Sequence, residues 1–168
     1  MSIFSKLFGS KKPERELRTI HDKYCNFTDT DDVLEYKGTV KWCRCDCEIS
    51  LDVDEFPSET PTIEKALAVF HMLYENMEEW DRKVKECAAA EYMDENGMVE
   101  IWGNGHEENE VPPMPKEDFI NKLDVFEIQI SNDGNIRFRI PADGLFTDHE
   151  LVIETDSSGE NMTCGLWG

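Results

Sequence analysis

The chain has 168 residues, of which 37 are Asp or Glu and 17 are Lys or Arg, so its formal net charge is -20 at pH 7. A chain this acidic does not bind nucleic acid by neutralising phosphates, and anionic lipid headgroups repel it. Its length suits one domain with its own core, and a hydrophobic content of 39% is too high for a wholly disordered chain.

The charge is unevenly distributed along the chain. Residues 1–24 carry six basic and three acidic side chains, a net charge of +3, so residues 25–168 carry -23. We therefore divide the sequence into a basic and apolar leader, 1–24, and a single domain, 25–168. Four apolar side chains of residues 1–12 share one helical face, which is typical of a small interfacial anchor or of a terminus docked on its own domain. Pro13 predicts the start of a short helix over residues 13–24.

Membrane contact is expected only through residues 1–12, because no segment approaches the roughly 20 apolar residues of a membrane span. The first residues also lack the small-residue cleavage site of a secretory signal. We therefore expect a cytoplasmic protein whose six cysteines stay reduced.

Residues 40–51 alternate between apolar and polar side chains, which predicts one half-buried strand. Its inward face would hold Cys43, Cys45 and Cys47. Successive same-face residues of a strand lie about 7 Å apart, whereas two sulfurs bound to one zinc ion lie about 3.8 Å apart. We therefore assign these cysteines to the core and predict neither a metal nor a cofactor.

Apolar residues recur at steps of three and four over residues 61–93, which predicts one long amphipathic helix, or two helices joined near Asn76. Residues 94–114 are rich in Gly, Pro and acids, so we expect a loop, with a short strand over 98–102 as an alternative within it. A second, short helix is predicted over residues 115–123.

Three or four further strands are predicted after residue 124. Asn132 to Asn135 form a strong hairpin signal between residues 125–130 and 136–140, because Asp-Gly accepts positive φ. Further strands follow over 149–155 and 162–167. The predicted fold is α+β: an antiparallel, twisted sheet of about five or six strands with one long helix across one face. Phe70, Tyr74 and Trp80 would pack on the sheet at Cys43, Cys45, Ile49, Phe126, Ile128 and Phe138.

No strong catalytic motif occurs, which favours a binding protein over an enzyme. The best catalytic candidate is His149, which follows Asp143 and Asp148, because an Asp beside a His can orient it for general acid–base catalysis. A buried structural histidine is the alternative.

Several short stretches together resemble a known bacterial family, domain of unknown function 2262, over roughly residues 25–168. The resemblance implies a bacterial, intracellular protein, and members of such families look like components of toxin–immunity neighbourhoods. The family tends to have an aromatic residue and a Gly before the histidine, where this chain has Thr147 and Asp148. The stretches that carry the resemblance are residues 34–42, 50–52, 66–90 with Glu78-Glu79-Trp80-Asp81, Phe119 and Leu123, 128–138, and Leu145-Phe146 followed by His149.

We consider three hypotheses for the function. The first is a non-catalytic acidic binding protein, most specifically an immunity-like inhibitor of a cationic protein such as a toxin, because an acidic face speeds association with a basic partner. The second is a small hydrolase using His149 with neighbouring carboxylates, and the third is a structural or regulatory protein attached through its leader. The predicted contacts of the first hypothesis are Asp52, Asp54, Glu55, Glu107, Glu108 and Glu110.

Overall fold

The computed structural model describes residues 18–30, 35–53, 63–97, 113–141, 145–146 and 149–168. Within these residues, eight strands form one sheet whose spatial order is the same as their order in the sequence. Every neighbouring pair is antiparallel except β4 and β5, which are parallel. The strands are β1 Thr19–His21, β2 Asn26–Asp29, β3 Glu35–Trp42, β4 Cys45–Asp52, β5 Glu127–Ile130, β6 Asn135–Ile140, β7 Glu150–Asp156 and β8 Thr163–Trp167.

The described residues form three helices between β4 and β5, since a parallel pair requires a crossover connection. They are α1 Glu64–Glu75, α2 Met77–Tyr92 and α3 Lys116–Lys122. Each buries apolar side chains, and the sheet buries alternate residues of its strands in the same core. None of the helices in this described part of the chain is long and apolar enough to cross a membrane.

The prediction of five or six strands with one long helix is wrong. In the part of the chain that the structure describes, the sheet has eight strands and the longest helix has 16 residues. The helical periodicity of residues 61–93 is interrupted at Asn76, whose side chain donates a hydrogen bond to the carbonyl of Met72 over 2.9 Å. This amide competes with the helical backbone, so α1 ends there and α2 begins at the next residue. The short helix α3 is confirmed within a residue or two at each end.

The prediction of a single strand over residues 40–51 is also wrong, because β3 and β4 form a hairpin in which Trp42 pairs with Cys45. Cys43 and Arg44 form its two-residue turn, and Cys43 has φ 48°. Cys43 is therefore exposed rather than inward, while Cys47 is buried. The backbone N–H of Cys43 donates to Sδ of Met77 on α2 over 3.0 Å, so a tertiary contact supports a turn that lacks the usual turn residues.

The strand β1 and the connection that follows it replace the C-terminal part of the helix predicted over 13–24. Residues 13–17 of that prediction lie outside the described structure. The connection between β1 and β2 packs on α1, where the Tyr24 and Tyr74 rings lie 4.5 Å apart. The ring Nε2 of His71 is 2.7 Å from Oδ2 of Asp22. These contacts explain a hairpin that has little hydrophobic pattern of its own.

Gly38 lies within β3, opposite Ile49. A Cβ at this position would lie 2.9 Å from the backbone oxygen of Asn26, from Sγ of Cys25 and from the ring of Phe27. A glycine is needed here because the β1–β2 connection passes directly over the strand.

The core lies between the sheet and the helices. Trp42, Phe27, Phe70 and Phe138 are fully buried, and the rings of Trp80 and Phe138 stack at 6.3 Å. The predicted burial of Ile49, Ile128 and Phe138 beneath the helices is confirmed, and so is the β5–β6 hairpin, in which Gly134 has φ 94°.

Candidate functional site

The helices cover one face of the sheet, and we call the opposite side the open face. The strand alternation places polar residues there, since their neighbours along each strand face the core. The open-face charged residues of the described strands comprise eight carboxylates and four cations. They are Glu35, Asp46, Glu48, Asp52, Glu127, Glu150, Glu154 and Asp156, with Lys37, Lys41, Arg137 and Arg139.

Arg139 on β6 is at the centre of the most buried part of this face. Its guanidinium contacts Oε2 of Glu127 on one side, and its Nε and Nη2 contact Oε2 of Glu150 at 2.9 and 2.5 Å on the other. The Glu127 side chain is only 8% exposed, and its second oxygen accepts a hydrogen bond of 2.7 Å from Gln129. The buried carboxylate is therefore fully satisfied, as burial of a charge requires.

Arg137 extends this network toward the last strand. Its guanidinium contacts one oxygen of Glu154 through Nε at 2.9 Å and Nη2 at 2.6 Å. It also approaches Oε1 of Gln129 at 3.4 Å and lies 5.9 Å from the ring of Trp167. Gln129 thus bridges the two arginine networks, so four strands hold their open-face side chains in a fixed arrangement.

A third network lies on β3 and β4. Lys37 contacts Oε1 of Glu48 at 2.6 Å and Oε1 of Glu35 at 3.8 Å, and Glu35 accepts a hydrogen bond from the hydroxyl of the buried Ser50. Asp52 pairs with Glu35 in the strand register, next to this network, and its side-chain carboxylate makes no hydrogen bond or ion pair with another described residue. Desolvation raises the pKa of the Asp52 carboxyl, and the nearby Glu35 carboxylate raises it further.

Two open depressions lie side by side on this face. The first, of about 660 Å³, is lined by four carboxylates from three elements: Asp52 of β4, Asp133 of the β5–β6 turn, and Glu154 and Asp156 of β7. Hydrogen bonds from Ser131 lower the pKa of Asp133, and hydrogen bonds from Ser158 lower that of Asp156, so both stay ionised at neutral pH. Among the described residues of its lining, Arg137 is the one cationic side chain.

The second depression has a volume of about 610 Å³ and is less charged. It is lined by Gln129, Arg137, Arg139, Glu150, Val152, Trp167 and Gly168. Trp167 is 65% exposed and is the one strongly exposed large hydrophobic side chain of the described residues. The open face therefore combines an acidic depression with an aromatic one.

The structure places one of the predicted contact residues on the open face. Asp52 lines the acidic depression. The other five predicted contacts, Asp54, Glu55, Glu107, Glu108 and Glu110, lie outside the described residues, as does the leader segment 1–12.

The catalytic candidate His149 is half-buried, immediately before β7. Its backbone N–H donates to the carbonyl of Phe146 over 3.1 Å, and its ring lies against Gly168. It lines neither depression of the open face. Asp143 and Asp148 lie outside the described residues, so the acid–base hypothesis stays a prediction.

The described residues contain no group of three or more His, Cys, Asp or Glu arranged to hold a metal ion. Cys45 and Cys47 of the β3–β4 hairpin are not activated as thiolates, because burial raises the pKa of both thiols.

Sequence reasoning missed the arginine networks and Trp167 as features of a site. The alternation that placed Arg137 and Arg139 on one face was visible in the sequence. Their partners Glu127, Glu150 and Glu154 come from two other strands, and only the pairing register brings them together.

Two comparisons with known proteins, the search of curated proteins and the search of solved structures, found no match. Residues 21–166 match the sequence family described as "Uncharacterized protein conserved in bacteria (DUF2262)", which confirms the resemblance seen in the sequence. The chain therefore belongs to the DUF2262 family of uncharacterised bacterial proteins.

Proposed function

We propose that this protein is a non-catalytic binding protein of the bacterial cytoplasm that binds a cationic protein through the open face, in the manner of an immunity protein that inhibits a toxin. The observation that carries this proposal is the charge of that face, where the described strands present eight carboxylates and four cations. The surplus is concentrated around the depression that contains Asp52, Glu154 and Asp156.

The arrangement of these carboxylates favours binding over catalysis. The excess of carboxylates over cations on neighbouring strands gives this face a net negative field, which accelerates encounter with a basic partner and disfavours acidic competitors. Most of the charged side chains are held by ion pairs or hydrogen bonds, so little side-chain freedom is lost when a partner binds. A face spanning eight strands has the width of a protein–protein interface.

Asp52 is the carboxylate most available to a partner. Its side-chain carboxylate has no hydrogen-bond or ion-pair partner among the described residues, and desolvation, followed by the Glu35 carboxylate beside it, raises its pKa. A lysine or arginine placed beside Asp52 would supply an ion-pair partner and would favour ionisation of its carboxyl, because an opposite charge stabilises the ionised form.

The proposal is tested with two double variants of equal charge change. Asp52→Lys with Asp156→Lys alters the acidic depression, whereas Glu64→Lys with Glu91→Lys alters exposed positions on α1 and α2. Basic proteins retained by the wild-type protein from the native bacterium's lysate are purified, and their association kinetics are measured at increasing salt. We expect the association rate constant to fall at least about tenfold for the open-face variant and little for the helix variant.

The salt dependence of association is the second criterion. The association rate constant of the wild-type protein should fall steeply as ionic strength rises, and the open-face variant should show a flatter dependence. Equal retention by both variants, or an association rate that is indifferent to salt, would show that the open face does not bind the partner by charge.

A further inference from the structure

The strand β8, Thr163–Trp167, forms one end of the sheet in the described structure and pairs only with β7. Its outward N–H and C=O groups therefore pair with no strand of the described residues, and a row of such groups is a template for another strand. Natural proteins commonly protect such edges with charged residues, proline, bulges or very short strands. The opposite edge has this protection, since β1 has three residues and is flanked by Arg18 and Asp22. β8 has five residues, and none of them is charged or a proline.

We propose that β8 is a homodimerisation edge, where the β8 strands of two copies pair antiparallel about a two-fold axis at Gly165 and continue the sheet from one copy into the other. In this register Gly165 faces its own counterpart, and Thr163 of each copy lies opposite Trp167 of the other. An interface of this symmetry is self-complementary by construction.

The side chains of β8 fit this register. Thr163, Gly165 and Trp167 lie on the open face, because they pair with Glu154, Val152 and Glu150 of β7. An added Cβ at Gly165 would meet no atom within 4 Å, so the space above this residue is open. The 65% exposed indole of Trp167 from a second copy, lying diagonally across the new strand pair, would cover that space.

The chemistry of the edge favours a second copy over a charged partner. A strand rich in Lys or Arg would find no carboxylate on β8 itself, and Glu150 and Glu154 of β7 already contact Arg139 and Arg137. An identical β8 offers an uncharged strand of equal length with a matching indole. When two β8 strands pair, no charged side chains of these edge strands are brought together.

The expected dimer is weak. An aromatic side chain buries roughly 150–250 Å², so two partly exposed indoles and two five-residue strands stay well below the roughly 1,200 Å² of a stable interface. Two copies of net charge -20 also repel each other. We expect a dissociation constant of about 0.1–1 mM that decreases as salt screens this repulsion. Binding of a cationic protein to the open face has the opposite salt dependence, so the two proposals succeed or fail separately.

The proposal is tested by substituting Gly165 with a residue of either charge. Gly165→Glu and Gly165→Lys each place two like charges directly opposite one another at the two-fold axis, which is unfavourable. The open space above Gly165 and its ordinary φ let either side chain fit in the monomer. Sedimentation equilibrium up to about 1 mM protein should show that each variant raises the dissociation constant at least about tenfold. An equimolar mixture of the two variants should restore dimers, because the opposed residues are then Glu and Lys.

Thr39→Glu is the matched control, since Thr39 is an exposed strand residue of the open face far from β8 in the sheet order. It should dimerise like the wild-type protein. Trp167→Ala should weaken dimerisation without a change of charge. A wild-type protein that stays monomeric up to about 1 mM at high salt overturns the proposal, as does a mixture of the Glu and Lys variants that dimerises no better than either variant alone.

Discussion

Trp42 on β3 and Asp81 on α2 are joined by a hydrogen bond in which the indole Nε1 donates to Oδ1 of the carboxylate over 3.1 Å. The second oxygen of Asp81 lies 2.7 Å from Nζ of Lys85, one helical turn further along α2. The Trp42 side chain is fully buried, and the side chains of Asp81 and Lys85 are 13% and 7% exposed. One carboxylate thus satisfies both the indole of the sheet and a buried ammonium group of the helix.

Removal of this carboxylate should be costly, because Lys85 would remain buried without its partner. Asp81→Ala is expected to lower the free energy of unfolding by about 3 kcal/mol, measured by urea denaturation. The double variant Asp81→Ala with Lys85→Met should recover much of this loss, since no buried charge is then left unpaired. Glu79→Ala, which breaks the exposed pair of Glu79 with Lys83, should cost less than about 0.5 kcal/mol. An Asp81→Ala variant as stable as Glu79→Ala would contradict this interpretation.

Two glycines of the sheet should respond oppositely to the same substitution. Gly38→Ala places a methyl group 2.9 Å from the Asn26 carbonyl oxygen, the Cys25 sulfur and the Phe27 ring, so the β1–β2 connection must shift. We expect a loss of about 2 kcal/mol of unfolding free energy. Gly165→Ala meets no atom within 4 Å and should be neutral or slightly stabilising. Chemical denaturation of both variants at low protein concentration measures the difference, and equal losses would show that the contact over Gly38 is not tight.

The hairpin β5–β6 was predictable from the sequence because Asp133-Gly134 supplies the positive φ of the turn locally. The β3–β4 hairpin was not, because Cys43 adopts positive φ only with the help of Met77, a residue 34 positions away. The strand β2 has little pattern of its own, and its residue Phe27 is buried by packing against Phe70 of α1 at 5.3 Å.

The candidate site was predictable only in part. The acidity of the domain followed from its composition, and the prediction of Asp52 as a partner contact followed from the local sequence. The joining of Glu127, Arg139 and Glu150 depends on the register of three strands, and the parallel pairing of β4 with β5 depends on a crossover of more than 70 residues. Long-range pairing of this kind has no local signal in one sequence.

The arginines of the open face should differ in their contribution to stability. Arg139→Met leaves the buried Glu127 with Gln129 as its remaining hydrogen-bond partner on this face, so we expect a loss of about 2–3 kcal/mol of unfolding free energy. Arg137→Met removes a guanidinium that is 43% exposed, from a glutamate that is 54% exposed, and should cost less than about 1 kcal/mol. Urea denaturation measures the free energy of unfolding of both variants. A larger loss for Arg137→Met would mean that the more buried ion pair does not contribute more to stability than the exposed one.

The contact between Asp22 and His71 should make stability depend on pH. Burial acts to raise the pKa of the Asp22 carboxyl, but hydrogen bonds from the Tyr24 backbone and from His71 outweigh it, so this pKa lies below its value of 3.8 in the unfolded chain. A carboxyl whose pKa is lower in the folded state stabilises the fold above the unfolded value, and this contribution is lost as the pH falls below it toward the folded pKa.

Asp22→Asn should therefore be less stable than the wild-type protein at pH 7, and the difference between them should shrink as the pH falls from about 5 to below 3. The other acidic residues titrate in both proteins, so this difference isolates Asp22. Urea denaturation at a series of pH values measures it, with Asp46→Asn as the control, because the Asp46 side chain is 75% exposed on β4 and pairs with an exposed lysine. A difference that stays constant down to pH 3 would mean that the carboxyl of Asp22 titrates alike in the folded and unfolded chain.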